Sequence, residues 1–221
     1  MKEQRDKQQV RLTQLVDARI HLGHRNSRWN PKMASYLYGI REGVHIIDVR
    51  KTAILLGKAL GIVANILKKG GNILVVGNRR ENTLLTAALG KTLPKRIGFI
   101  NTKWMGGTLT NWETFDASQK AFANSNKPYK RNRLRTYLRG LPKDFGLPSL
   151  IVVLNTNSNT MLISEANTLH IPVVGVVDTN SDPVGVAYPI PGNDDSASAH
   201  FFYCQALSYA ILKGLQGRSY N

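Results

Sequence analysis

Residues 150–154 read Leu-Ile-Val-Val-Leu, and residues 171–177 read Ile-Pro-Val-Val-Gly-Val-Val. Neither run alternates with polar residues, so neither suits a strand with one face in water. A strand that is apolar in both side-chain directions is buried on both faces, which is the pattern of a parallel sheet covered by helices. Between the two runs, residues 161–169 carry apolar side chains at helical spacing. Strand, helix, strand in that order is the crossover unit that parallel pairing requires.

The same alternation extends outward. Residues 73–76, Ile-Leu-Val-Val, form a short apolar run ending at Gly77. A helix is predicted before it, from Thr52 to Lys68, with Thr52 as the cap and Gly70-Gly71 as the stop. Residues 81–91 read as the next helix and 97–100 as a strand. The β-branched run 44–49 counts as the first strand of the series. Tyr188-Pro-Ile-Pro191 holds two prolines, so it fits only an edge. Residues 195–215 predict a long final helix with Asn193 or Asp194 near its cap. Loops are expected at 21–33, around Asn30-Pro31, and at 101–112, around Gly106-Gly107. The fold class is therefore α/β, a doubly wound Rossmann-like parallel sheet with helices on both faces. Residues 17–116 and 144–221 form the single domain, and 1–16 an N-terminal arm. Residues 117–143 form an insertion between the third and fourth strands, whose low apolar content suggests that it projects from the core.

Charge divides the chain. Residues 1–143 hold 28 Lys and Arg against 8 Asp and Glu, whereas 144–221 hold 2 against 6. Between Asp116 and Asp144 lie eight basic residues and no acidic one: Lys120, Lys127, Lys130, Arg131, Arg133, Arg135, Arg139 and Lys143. Such self-repulsion destabilises a compact state unless a polyanion neutralises it. At pI ≈ 10.2 the expected polyanion is nucleic acid. The single cysteine, Cys204, excludes an internal disulfide framework and a Cys-based zinc site. No stretch approaches the roughly 18 apolar residues of a membrane span.

Four groups of residues invite a chemical reading. Gly77-Asn-Arg79-Arg80 follows a strand and precedes a helix, where nucleotides or phosphates bind. No glycine fingerprint of a dinucleotide site and no P-loop accompanies it, so a phosphate clamp on RNA is favoured over a nucleotide-binding enzyme. His24, Arg25, Arg28, Trp29, Asn30 and Lys32, with Lys103, Trp104, Asn111 and Trp112, interleave aromatics with cations and amides. That mixture can stack bases and hold phosphates, and tryptophans under loops can equally be core. His21 and His24 read as hydrogen-bonded structural histidines, since no Cys or carboxylate pair stands near them in the chain. Asp178, Asp182, Asp194 and Asp195 suit Asx-turns and helix caps. They are also the candidates for a structural Mg²⁺ shared with an rRNA phosphate; otherwise no cofactor and no catalysis are expected. The basic segment, with Lys127, Lys130, Arg131, Arg133, Arg135 and Arg139, is the fourth group.

Five motifs together resemble a known family. They are His-Leu-Gly-His-Arg-Asn-Ser-Arg-Trp-Asn-Pro-Lys-Met (21–33), Gly-Val-His-Ile-Ile-Asp (43–48), Asn-Thr-Lys-Trp-Met-Gly-Gly-Thr-Leu-Thr-Asn-Trp (101–112), Ile-Pro-Val-Val-Gly-Val-Val-Asp-Thr-Asn-Ser-Asp-Pro (171–183) and Ile-Pro-Gly-Asn-Asp-Asp-Ser (190–196). In order and spacing they resemble the bacterial-type small-subunit ribosomal protein S2 family. The resemblance implies a Rossmann-like, non-catalytic constituent of the small subunit. Its implied partners are small-subunit rRNA and adjacent ribosomal proteins, with no membrane and no homo-oligomer. It carries RNA- or neighbour-facing roles to His24, Arg28, Trp29, Asn30, Lys32, Arg79, Arg80, Lys103, Trp104, Asn111 and Trp112. The acidic C-terminal part would face protein neighbours or solvent. Bacterial members carry a long helical hairpin of mixed charge after the Asn-Trp pair. Here that region is shorter and almost purely basic, which points to a mitochondrial member, with plastid and bacterial cytoplasm as the alternatives.

Overall fold

The structure, a computed structural model, describes residues 12–79, 96–123 (backbone only from 118), 137, 140–142 and 145–216. The predicted helix over 81–91 lies outside the described residues, as do Arg80, Lys127, Lys130, Arg131, Arg133, Arg135, Arg139 and Lys143.

Five strands form the parallel sheet: β4 (Ile73–Val76), β5 (Ile97–Ile100), β6 (Leu150–Val153), β7 (Val173–Val177) and β8 (Tyr188–Pro191), in the spatial order β5-β4-β6-β7-β8. Every residue of β4 to β7 is buried. Alternate side chains serve opposite faces. Ile73 and Val75 join one core, with Leu56, Ala59, Val63 and Leu67 of α2 (Val49–Lys68) and Tyr203, Leu207 and Ile211 of α5 (Ala197–Gln216). Leu74 and Val76 join the other, with Leu162, Ile163 and Ala166 of α4 (Thr160–Thr168). The doubly covered α/β sheet stands, and the proline-containing strand is at its edge, as its missing N–H donors require.

Four expectations are corrected, the first two together. Residues 44–47 form β3 (Val44–Ile47), which lies outside the parallel sheet. It is the middle strand of a separate antiparallel sheet, between β1 (Leu22–Arg25) and β2 (Leu37–Arg41). The β2–β3 hairpin turns at Glu42 and Gly43, both at positive φ (51° and 76°), the signature of a two-residue turn that matches strand twist. Much of the supposed loop 21–33 is thus strand and 3₁₀ helix. Third, α2 starts at Val49, because Asp48 caps it by accepting from Arg50 N at 3.0 Å. Thr52, the expected cap, is buried instead and donates its hydroxyl to Pro191 O at 2.7 Å. Fourth, the end of the insertion joins the core. Tyr137 and Leu141 pack with Trp104 and Phe145, and Gly140 O accepts from Phe99 N at 2.8 Å. The helix α3 (Trp112–Ala123) precedes it, and α1 (Leu12–Asp17) opens the described chain.

Candidate nucleic-acid interface

The parallel strands deliver their loops to one end of the sheet, and one of these loops begins at Asp178, directly after β7. Asp178 is 1% exposed. Its Oδ1 accepts from the Thr179 hydroxyl at 3.1 Å, and its Oδ2 from Asp194 N at 3.1 Å. The loop after β8 supplies Asn193, whose Oδ1 accepts from Asp195 N (2.8 Å) and Ser196 N (3.0 Å), capping α5. These Asx bonds turn the chain so that Asp194 faces inward and Asp195 faces the rim.

Onto this acidic end the antiparallel sheet docks through β1. His24 N donates to Thr179 Oγ1 at 2.8 Å. The His24 ring lies between two carboxylates, Nδ1 3.3 Å from Asp178 Oδ1 and Nε2 3.0 Å from Asp195 Oδ2. Its pKa is raised, chiefly by the hydrogen bond to Asp178, against the opposing effect of burial. Asp194 is pushed up to about 7 by burial and by the charge of Asp178. Arg79 binds the Asp195 carboxylate and stands 3.9 Å from Asp194. Lys32 Nζ donates to Asp182 Oδ2 at 2.6 Å, which holds Asp182 below the usual carboxylate range.

The acidic loops therefore do not simply face solvent or neighbours, and three of the side chains expected to face RNA or a neighbour pair with them. His24, Lys32 and Arg79 neutralise Asp178, Asp182 and Asp195 within the chain. Long-range folding brought His24 the carboxylate pair that its local sequence lacks. Asn30 is also occupied, since its Oδ1 caps a 3₁₀ turn by accepting from Lys32 N. Trp29 is half-buried and stacked on the His45 imidazole, 4.8 Å between centroids.

The second tryptophan loop is organised from within. Glu165, on α4, is 8% exposed. Its Oε1 accepts from Trp104 Nε1 (3.0 Å) and Gly107 N (2.8 Å), and its Oε2 from Leu109 N (2.9 Å) and Thr110 N (3.4 Å). One carboxylate thus holds most of the loop, with Gly107 taking the positive φ of 84° the turn needs. Trp104 is 7% exposed and belongs to the core beside Tyr137, so its outward role is corrected to a structural one. Trp112 packs against Phe115 and Phe145. Of the expected contacts in this loop, Lys103 and Asn111 are exposed.

What stays available is Arg25 and Arg28. Both are exposed, and neither is ion-paired to a described residue. With Gly23, His24, Ser27 and Val44 they line a hollow of about 470 Å³. On β2 of the same small sheet, Tyr38 and Ile40 are exposed. A pair of guanidiniums around a hollow can hold phosphates.

A family model described as ribosomal protein S2 matches residues 15–214. The chain belongs to the ribosomal protein S2 family. It is similar to the protein named small ribosomal subunit protein uS2 of Paramagnetospirillum magneticum, 39% identical over 225 residues that cover 93% of this chain and 83% of the relative. The uS2 of Rhodospirillum centenum is 39% identical, covering 93% and 85%. That of Anaplasma phagocytophilum is 40% identical, covering 93% and 75%.

In this S2 chain the residues that organise the site are not all those the motifs advertised. Glu165 and Thr179 carry the loops, yet neither stood out in the sequence. Glu165 has one local signal, a lone carboxylate in the apolar pattern of 161–169. The turn after β4 is engaged by its own neighbours, Asn78 with Asn155 and Arg79 with Asp195. No described helix is long and apolar enough to cross a membrane.

Proposed function

We propose that this chain is a structural, non-catalytic constituent of the small ribosomal subunit, binding rRNA and neighbouring ribosomal proteins in translation. The similarity to proteins named uS2 along almost the whole chain carries the reading. The described surface supplies its chemistry. Arg25 at the end of β1, Arg28 in the 3₁₀ turn after it and Lys103 in the loop after β5 meet phosphates, while the basic segment with Lys127, Lys130, Arg131, Arg133, Arg135 and Arg139 adds charge. Neutralised phosphates release counterions, so affinity falls steeply with salt. The chain enters as a single copy rather than a homo-oligomer. The ribosome is mitochondrial on this reading, because the segment after Trp112 is short and carries no acidic residue between Asp116 and Asp144. Recovery of a tagged chain with plastid or bacterial small subunits would relocate it.

The test is filter binding of small-subunit rRNA over a range of salt. Arg25→Ala with Arg28→Ala should weaken binding and lower the salt slope by about 2, at about 0.9 per lost phosphate contact. An unchanged slope with a folded variant removes the hollow from the interface.

A further inference from the structure

Away from the loops at the sheet end, the outer face of α2 is built to be approached. The helix turns Thr52, Leu56, Ala59, Val63 and Leu67 into the core. At 3.6 residues per turn the opposite side is formed by Arg50, Ile54, Gly57, Gly61, Asn65 and Lys68, and all six are exposed. Two of these positions are glycines, one turn apart. Glycine weakens a helix interior more than any residue except proline, so each one needs a reason. A close crossing is such a reason, and Gly214 on α5 has it, since a Cβ there would stand 2.7 Å from Ala64 O. Gly57 and Gly61 have no such neighbour. A Cβ on either would meet no described atom within 4 Å. What the two glycines provide is bare helix backbone at the surface. Another molecule can come close to it, and its carbonyl oxygens each keep a second lone pair.

Charge is the independent observation that selects the partner. The helix holds Arg50, Lys51, Lys58 and Lys68 and no acidic residue, and Lys69 follows at its C-cap. Two of these cations are engaged within the chain. Arg50 Nε stands 3.6 Å from Asp48, and Lys51 Nζ donates to Ser35 O at 2.6 Å. Lys58, Lys68 and Lys69 are exposed, and none is ion-paired to a described residue. Lys58 lies beside the glycine pair, and Lys68 about 15 Å further along the axis, at about 1.5 Å per residue. An apolar helix of another protein would fit the glycines and leave the ammonium groups unmatched. A polyanion matches both. Duplex RNA has a wide, shallow minor groove that displays 2′-hydroxyls beside its phosphates.

We propose that the outer face of α2 docks on the minor groove of an rRNA duplex. The bare backbone at Gly57 and Gly61 accepts from ribose 2′-hydroxyls, and Lys58, Lys68 and Lys69 meet the flanking phosphates. This inference rests on the rRNA-binding reading above and adds a second contact surface to it, on a helix rather than at the hollow of Arg25 and Arg28.

The experiment uses the full chain and filter binding of small-subunit rRNA over a range of salt. Gly57→Gln with Gly61→Gln puts good helix formers into open space, so the unfolding temperature should rise. The longer side chains hold the duplex away, so affinity should fall about tenfold, the worth of two hydrogen bonds. Lys58→Gln with Lys68→Gln should lower the salt slope by about 2, at about 0.9 per lost phosphate contact. A glycine variant that binds rRNA as the wild type does would overturn the proposal, and so would an unchanged slope in the folded lysine variant. A lower unfolding temperature in the glycine variant would overturn it too, because the glycines would then serve the fold. Wild-type affinity for bare rRNA combined with failure to enter reconstituted small subunits would give the face to a neighbouring protein instead. The Arg25→Ala, Arg28→Ala chain separates the two readings. A wild type that ignores rRNA sinks both, whereas binding that responds to the arginines and not to the α2 variants sinks this one alone.

Discussion

Glu165→Ala removes the single acceptor of four N–H groups, so it tests whether the 101–112 loop is built from inside. The four donors are not equal. Gly107 is half-buried and Thr110 exposed, so their N–H groups can turn to water. Trp104 Nε1 and Leu109 N are buried, 3.0 and 2.9 Å from the carboxylate, and have no such recourse. Each buried donor left unmet costs about 1–3 kcal/mol. Two of them set an expected loss of about 2–6 kcal/mol, a large share of the roughly 5–15 kcal/mol that holds a domain folded. Glu165→Gln keeps the shape and one oxygen but turns an NH₂ toward an N–H, so it should cost less than the alanine change. Urea unfolding followed by tryptophan fluorescence and circular dichroism measures both. The alanine variant should lower the midpoint without changing the slope, and Trp104 emission should shift to the red. A loss under about 1 kcal/mol, below the cost of one orphaned donor, would refute the account of the loop.

Two further outcomes are expected. His45 is buried, bonded through Nε2 to Asn26 Oδ1, and desolvation lowers its pKa below the ordinary 6.5. The unfolded chain therefore binds this proton more readily, so the stability it contributes is full above pH 6.5 and is lost as pH falls through the depressed folded value. Trp29 fluorescence, quenched by an imidazolium stacked on the indole, should titrate with a midpoint below 6.5. Comparison with His45→Gln separates the effect from that of His24, whose shift has the opposite sign; a midpoint above 6.5 would contradict the burial argument. Gly23→Ala would place a Cβ 2.3 Å from Thr179 Cγ2 and 3.0 Å from His45 O. Since Thr179 is fully buried, the change should cost about 1–3 kcal/mol by thermal unfolding, and a neutral result would mean that β1 docks more loosely than described.

Burial on both faces is written locally, and that is why the parallel sheet was legible. Ile73–Val76, Ile97–Ile100, Leu150–Val153 and Val173–Val177 are each apolar throughout, and two prolines mark the edge strand. The antiparallel sheet was not legible, because β1 and β2 are half-exposed and broken by Gly23 and Gly39. Their pairing comes from the Glu42-Gly43 turn and from β3, whose apolar run imitated a parallel strand. The site was legible in its residue types and not in its pairings. His24 and Thr179 meet across 155 positions of chain, and no local pattern encodes such a contact. The charge imbalance pointed to a polyanion, but it did not tell that Lys32 and Arg79 would pair with the acidic loops while Arg25 and Arg28 pair with no described acid.

Sedimentation of a native extract through a salt-stable gradient tests the central claim most directly. The chain should run with small ribosomal subunits and their rRNA, and should leave them as the salt is raised or after ribonuclease. Recovery only in light fractions, untouched by ribonuclease, would contradict it.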